Sequence, residues 1–485
     1  MRAALEHGAE QHLGRTNLVL QRLERLLAEP SDTGIASQLT TFWAGWDDTA
    51  NHPDDPAARV QLLERAETLA ASFNHAATEI GAMRSSAIDE LETMVDDVTS
   101  KASTVAQLNE SIKNAQIAEL DASDLIDRRD VLAQQLAGLV GTQIRFGEFG
   151  QVSLVLNGTS LVSEDRFEPL VLDASGSPVT IRWQKDNFPA TVNSGAAGGL
   201  LETVNSVLPG YLADLDTVAM RLRDDVNALH GGITGSIAVA DQDQSLVPSL
   251  DFQVGLNGGG VVAVPIVGAD WSGVGGAAAL QASLQAAFDG AIGAGNATVT
   301  VSGGNGSPLV IGVAPTGTNE LQVQAVAGNP GFATLLGTTG VGLDGIGGRA
   351  LFTGTDAASL SLSSLVDGVP DAIAAATAGG GALDGSRALE LAELGSSATG
   401  ADSLYRSFVV TLAVDGQTTA HRHEIQSQTA KQVDSARESI SGVDIDEEMV
   451  NMVQFQHAYD ASARYMTAVD DMLATLILRT GRVGL

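Results

Sequence analysis

SGVDIDEEMVNMVQFQHAYDASARYMTAVDDMLATLILRTGRVGL, residues 441–485, closes the chain and governs how the rest of it is read. Ser441-Gly442-Val443 is a stop-and-start signal, and Asp444 stands three residues before Glu447. At that spacing a cap side chain and a glutamate satisfy each other's free amides, so a helix is expected to begin there. From Met452 onward Phe455, Tyr459, Ser462, Met466, Val469, Leu473, Leu476 and Thr480 follow at alternating steps of three and four, which is a seven-residue apolar repeat. Such a helix is about 50 Å long at its rise per residue, and each large apolar residue on the seam contributes roughly 1.5–3 kcal/mol only where something covers it. Met452, Phe455, Tyr459, Met466, Val469, Leu473 and Leu476 are therefore the candidate contact residues. Periodicity alone leaves two roles open, the closing helix of a globular core and a seam for another helix.

At 485 residues the chain exceeds the usual size of one hydrophobic core, so two to four domains are expected. Hydrophobic content is an ordinary 44 %, but aromatics make up only 4 %, a balance suited to packed helices and thin sheets. Acidic residues outnumber basic ones 59 to 26, giving a net charge of −33; this charge repels nucleic acid and anionic membranes, and neither is expected as a partner. The chain has no cysteine, which removes disulfides, thiolate metal sites and cysteine nucleophiles from consideration. Its first residues hold no apolar core of a cleavable signal, and no uninterrupted apolar run is long enough to span a bilayer.

Earlier in the chain, residues 1–29 read as a helix with Leu13, Leu20, Leu23 and Leu26 or Leu27 on one face, ended at Glu29-Pro30. A second helix is expected from about Gly34, presenting Ile35, Leu39, Phe42, Trp43 and Trp46; at that spacing the two tryptophans are read as core rather than as a recognition patch. Asn51 to Pro56 is a strong break, with Pro56 suited to the first position of the next helix. From Ala57 to about Val140 the apolar positions keep helical spacing, implying one very long helix or two in line. The period then drops to two: Gln151 to Leu156 runs into Asn157-Gly158, a hairpin signal, and short strands continue to about Asn193. Helix resumes from Gly199 to His230 and is closed by Gly231-Gly232. Between 231 and 400 lie 35 of the 54 glycines, which marks a strand-and-turn-rich portion. Inside it strands at 251–254 and 261–267, a helix at 277–291, and strands at 297–301, 309–313 and 321–326, ending in Phe332 to Gly337, give a ββαβββ order. From Asp402 to Ile440 helix returns, weakened in its middle by Gly416 and Thr418-Thr419.

The terminal run from SISGVDIDEEM through QFQHAYDASARY resembles the C-terminal signature of bacterial axial flagellar proteins. Its SGV-D-DEEM opening is most similar to the hook-associated protein 1 family. EPSDTG (29–34), the run from TFWAGWDD (41–48) to AASFN (70–74), DLIDRRDVLAQQLAGLVG (124–141) and GGLLETVNSVLPGYLADLDTVAMRLRDDVNALH (198–230) resemble the body of that family, and ALFTGTDAASLSL (350–362) and GSRALELAEL (385–394) resemble its return from the insertion. The resemblance implies an elongated α+β multidomain protein: a long helical-bundle or coiled-coil body formed by both halves of the chain, with small β-rich domains inserted. The expected division is a helical body at 1–142, a small β domain at 143–193, more body at 194–232, a glycine-rich outer insertion at 233–348, a return and further body at 349–440, and an axial helix at 441–485.

The same resemblance implies a structural role, joining the flagellar hook to the filament, with copies of itself, the hook protein, the filament-side junction protein and an export chaperone as partners. It implies no cofactor, and an extracellular place on the flagellum reached through the flagellar export channel without a cleaved signal. Two alternatives remain: a filament-side junction protein or flagellin, and a secreted enzyme or binding protein on a helical scaffold. Family members begin with a further segment carrying an NIANxxTPGY-like stretch that pairs with the C-terminal helix. This chain is expected to start after it, which would leave the seam without its partner and the chain by itself unable to join hooks.

Residues that resemble chemical sites are few. Gly340-Val341-Gly342-Leu343-Asp344-Gly345 matches the dinucleotide fingerprint in form, but Ile346-Gly347-Gly348 follows where a helix is needed. His421 and Glu424 share a helix face and could touch one metal ion, whereas His423 points elsewhere; an exposed polar face is the simpler reading. Asp444 and Asp446-Glu447-Glu448 lack the glycine and distal glutamate of a calcium loop and are explained as acids in a first helical turn. No catalytic or metal-binding residue is assigned.

Overall fold

The computed structural model describes residues 2–231, 233–237, 252–256, 262–264, 276–304, 307–316, 321–325, 350–376, 382–441 and 445–480. Four helical elements come first: α1 (Arg2–Leu27), α2 (Ile35–Asn51), α3 (Pro56–Ile117) and α4 (Ser123–Val140). The break before α3 is chemically simple. Pro56 takes the first helical position, where its missing N–H is no loss, and the Asp55 carboxylate accepts from the Ala57 amide at 2.8 Å.

At 62 residues, or about 90 Å of helical rise, α3 is the spine. Its first half buries Leu62, Ala66, Leu69, Phe73 and Ile80 in one core. Its second half buries Leu91, Met94, Val98, Ala102 and Val105 in another. The expectation of one long helix or two in line is corrected at its far end. Residues 118–122 form a turn with Glu119 in the left-handed region (φ 53°), and α4 folds back, so that Gln134 and Gln135 face the same groove as Asp97 and Lys101. Folding back lets Ala133, Leu136 and Val140 cover α3 instead of extending an uncovered stripe into water.

Among the described residues, five small antiparallel sheets sit on or between the helices. Strands β1 (Gln143–Phe146), β2 (Val152–Leu156), β3 (Thr159–Ser163) and β4 (Arg166–Phe167) pair in that order, and β5 (Leu170–Asp173) pairs with β6 (Thr180–Trp183). The β2–β3 turn is Asn157-Gly158 with φ of 43° and 94°, the two positive values that a two-residue hairpin requires and that these residues tolerate. Next, α5 (Gly195–Glu202) runs through a π-helical turn at Thr203–Val207 into α6 (Leu208–His230).

The glycine-rich portion contains β7 (Ile233–Ile237), β8 (Phe252–Leu256), β9 (Val262–Val264), α7 (Gly276–Ile292), β10 (Ala297–Gly304), β11 (Ser307–Pro315) and β12 (Leu321–Ala325). Its sheets run β10-β11-β7 and β12-β8-β9. The strand β7, absent from the sequence reading, is captured by β11 more than 70 residues further on, with Ile233 opposite Val313. Phe332 to Gly337 and the Gly340–Gly345 motif lie outside the described residues. The chain returns through β13 (Phe352–Thr353), β14 (Ser361–Leu362) and α8 (Ser386–Glu393), then enters α9 (Ala401–Ser441) and α10 (Ile445–Thr480).

Trp43 and Trp46 lie in the first core with Phe42, whose ring is 5.6 Å from that of Phe352. The Trp43 indole donates to Asp402 at the start of α9 at 2.6 Å. Burial pushes the Asp402 carboxyl above its usual value, against the pull of that bond. Val60, by contrast, faces solvent, so the apolar spacing at the start of α3 includes a position the core does not use.

Four asparagines on helices fasten the irregular segments. Asn109 of α3 donates to the Val152 and Glu164 carbonyls (2.8 and 2.7 Å) and accepts from the Val152 amide. Asn227 of α6 accepts from the Leu351 and Phe352 amides (2.8 and 3.0 Å) and donates to the Phe352 carbonyl at 2.7 Å. Asn205 treats Val179 in the same way, and Asn74 donates to the Ala357 and Leu360 carbonyls. Each primary amide offers a strand edge one acceptor and up to two donors, so a short strand can end on a helix without leaving buried backbone groups unpaired.

Candidate subunit interface

The helix α10 is built from 36 residues, about 54 Å of rise. Its start at Ile445 follows three residues, 442–444, outside the described set, so the cap role read for Asp444 is not among the described contacts. All seven candidate contact residues lie on it. The steps of three and four place Met452, Tyr459, Met466 and Leu473 in one row and Phe455, Val469 and Leu476 in the adjoining row.

Six of the seven are between 50 % and 77 % exposed, and Val469 is half-buried. Among the described residues no side chain from Met449 to Leu478 is buried. Soluble chains rarely leave so continuous an apolar surface in water, and where they do it marks an interaction site. Of the two roles open from periodicity, closing helix of this chain's own core does not describe the geometry seen.

The face is also broader than the sequence reading made it. Tyr465 and Met472 stand one position before Met466 and Leu473 and are exposed as well, widening the stripe on one side. A helix that buries three positions per heptad instead of two suits a bundle of several helices rather than a single partner. Both are legible in the sequence as a third apolar position, one that a two-row seam does not include.

A second exposed apolar group lies at the α3–α4 turn and the β1–β2 connection, formed by Ile117, Leu120, Phe146 and Phe149. Gly150 places the two segments side by side: its carbonyl accepts from the buried Arg129 guanidinium of α4, and its α-carbon faces the Gln116 amide of α3. Sequence spacing did not reveal this corner, because its members are apart in the chain and none belongs to a periodic run.

The residues weighed for other chemistry are dispersed. His421 and Glu424 are exposed on α9, and Glu424 accepts from Gln428 at 2.7 Å. Among the described residues no group of three or more His, Asp or Glu is placed to hold a metal ion, and no helix is long and apolar enough to cross a membrane.

Comparison with known proteins agrees with this arrangement. Residues 20–235 match the family described as the flagellar hook-associated protein FlgK helical domain, and residues 435–479 match the C-terminal region of flagellar basal body rod FlgEFG proteins. The chain is 24 % identical over 500 residues to flagellar hook-associated protein 1 of Bacillus subtilis, covering 96 % of this chain and 80 % of that protein. It is likewise 24 % identical over 489 residues to flagellar hook-associated protein 1 of Escherichia coli, covering 94 % and 83 %. The solved structure of the flagellar hook junction protein FlgK from Burkholderia pseudomallei overlays with a TM-score of 0.55 at 17 % identity, over 91 % of this chain and all of that one. A helical body matched over its first part, a rod-type C-terminal helix and relatives of one kind along nearly the whole length point the same way: the chain is similar to the flagellar hook-associated protein 1 family.

Proposed function

We propose that this chain is a non-catalytic axial component of the bacterial flagellum that joins hook to filament, and that α10 carries the contacts between subunits. The observation that supports this most directly is the exposed face of Met452, Phe455, Tyr459, Met466 and Leu473. At roughly 1.5–3 kcal/mol for each large side chain covered, a few such residues supply enough favourable free energy to hold one helix against its neighbours in a tube. Copies of the chain, the hook protein and the filament-side junction protein are the partners of that face. An export chaperone covers it before assembly, and the protein reaches the cell exterior through the flagellar export channel.

The test is complementation of a strain lacking its own hook-associated protein 1. Leu473→Asp and Phe455→Asp are expected to leave cells with hooks and no attached filament, while Ile425→Asp, exposed on α9, leaves motility intact. Attached filaments in the Leu473→Asp and Phe455→Asp strains would refute the role given to α10.

A further inference from the structure

The two halves of α9 are held in different ways. The first half is anchored in the core by Ala401, Tyr405, Phe408 and Leu412. From 417 to 439 the one buried side chain is Ala430, and polar contacts take over. Gln426 donates to the carbonyl and the carboxylate of Glu6 (3.1 and 2.7 Å), and Arg437 meets Gln134 of α4. His7 of α1 sits between two carboxylates, with Nε2 2.9 Å from Asp434 of α9 and Nδ1 3.3 Å from Glu10 of its own helix.

We propose that the distal half of α9 is a detachable strap latched through His7, so that the root of α10 is docked on the body when the imidazole is protonated and loosened when it is not. Both ring nitrogens face acceptors. Ionised carboxylates only accept, and a neutral imidazole has a single N–H, so the doubly protonated ring alone satisfies both contacts. Loss of the proton turns a lone pair toward one carboxylate. A segment held by half-buried polar contacts and little apolar burial belongs to the low-stability end of a fold and opens without global unfolding.

Among the described residues around His7, the nearby cations are engaged with other partners. From α1, Glu6 and Glu10 lie closest in sequence, and Arg15 is paired with Glu90. From α3, Asp97 and Lys101 face the same groove and pair with each other. From α4 the groove receives Gln134 and Gln135, and from α9 come Asp434 and Arg437. Burial opposes the charged ring, but the hydrogen bonds and charges of Asp434 and Glu10 outweigh it and hold the His7 imidazole above its usual value. A raised folded value stabilises the docked state fully below the unfolded value of 6.5, and that stabilisation is lost as pH rises through the folded value.

The test is hydrogen exchange of the full chain at about pH 6 and about pH 8.5, either side of the imidazole range, corrected for intrinsic rates. Peptides covering 424–441 report the strap, and peptides covering Phe42 to Trp46 report whether the core remains folded. Wild type is expected to lose about two- to fivefold protection in the strap at the higher pH, the size of a partly exposed ion pair. His7→Gln should show the weaker protection at both pH values, and Asp434→Asn should do the same. His421 and His423 also lie on the strap, and a pH response that persists in His7→Gln would assign the effect to them and overturn the proposal. Strap protection in wild type that does not change with pH would overturn it equally.

Discussion

Asn227→Ala removes a side chain that is 2 % exposed and makes three hydrogen bonds to the backbone of Leu351 and Phe352. Alanine cannot replace them, and the site is closed to water. Two amides and one carbonyl are then left buried without partners, at about 1–3 kcal/mol each; allowing for partial relaxation, the expected loss is about 3–5 kcal/mol. The damage should concentrate in the first core, because Phe352 packs on Phe42 there, and Trp43 and Trp46 report on that core by fluorescence in a urea titration. Asn109→Ala provides the matched comparison. It removes three bonds of the same kind from a fully buried position in the second core, where Trp183 is the reporter. The two substitutions share no partner, so the double variant should show additive losses. Asn227→Asp adds a directional check: it keeps the acceptor for both amides but turns an oxygen toward the Phe352 carbonyl, so acid that protonates the carboxyl should restore part of the loss. A loss below about 1 kcal/mol for Asn227→Ala, measured by the fluorescence of its own core, would refute the account of the asparagine clamps.

Gly385 precedes α8, and a Cβ there would lie 2.1 Å from the Ala50 carbonyl oxygen and 2.9 Å from its Cα. Gly385→Ala should therefore push α8 off α2 and cost about 1–3 kcal/mol or more, read as a lowered midpoint in thermal unfolding. Tyr405 is held far above the ordinary phenol value by burial first and by the Glu29 carboxylate second. A raised value in the fold means that stability falls as pH climbs past 10.0, the ordinary phenol value; alkaline difference spectra should show a late phenol that Tyr405→Phe removes. A peptidoglycan zymogram of the full chain should be blank, and a cleared band would favour the secreted-enzyme alternative that the sequence left open.

Much of the helical body was legible because its signals are local. Pro56 and Asp55 mark a helix start by the atoms they lack and supply, Asn157-Gly158 marks a hairpin by the φ values it tolerates, and the α10 repeat is visible without knowing what covers it. What escaped notice depends on contacts distant in sequence. The α3–α4 turn contains neither glycine nor proline, and its one local signal is Asp121, which accepts from the Ser123 amide at the start of α4; the reversal itself is fixed by the apolar gain of laying Ala133, Leu136 and Val140 back on the spine. The same holds for β7, which has a place only once β11 exists to pair with it, and for Asn109 and Asn227, which read on a helix wheel as ordinary polar residues until the strands they clamp are present. On α10 the converse applies: the exposed rows are plain in the sequence because no tertiary contact overrides the period. This chain leaves the apolar rows of that readable helix exposed over most of their length, together with a third apolar position that a two-helix seam would not need.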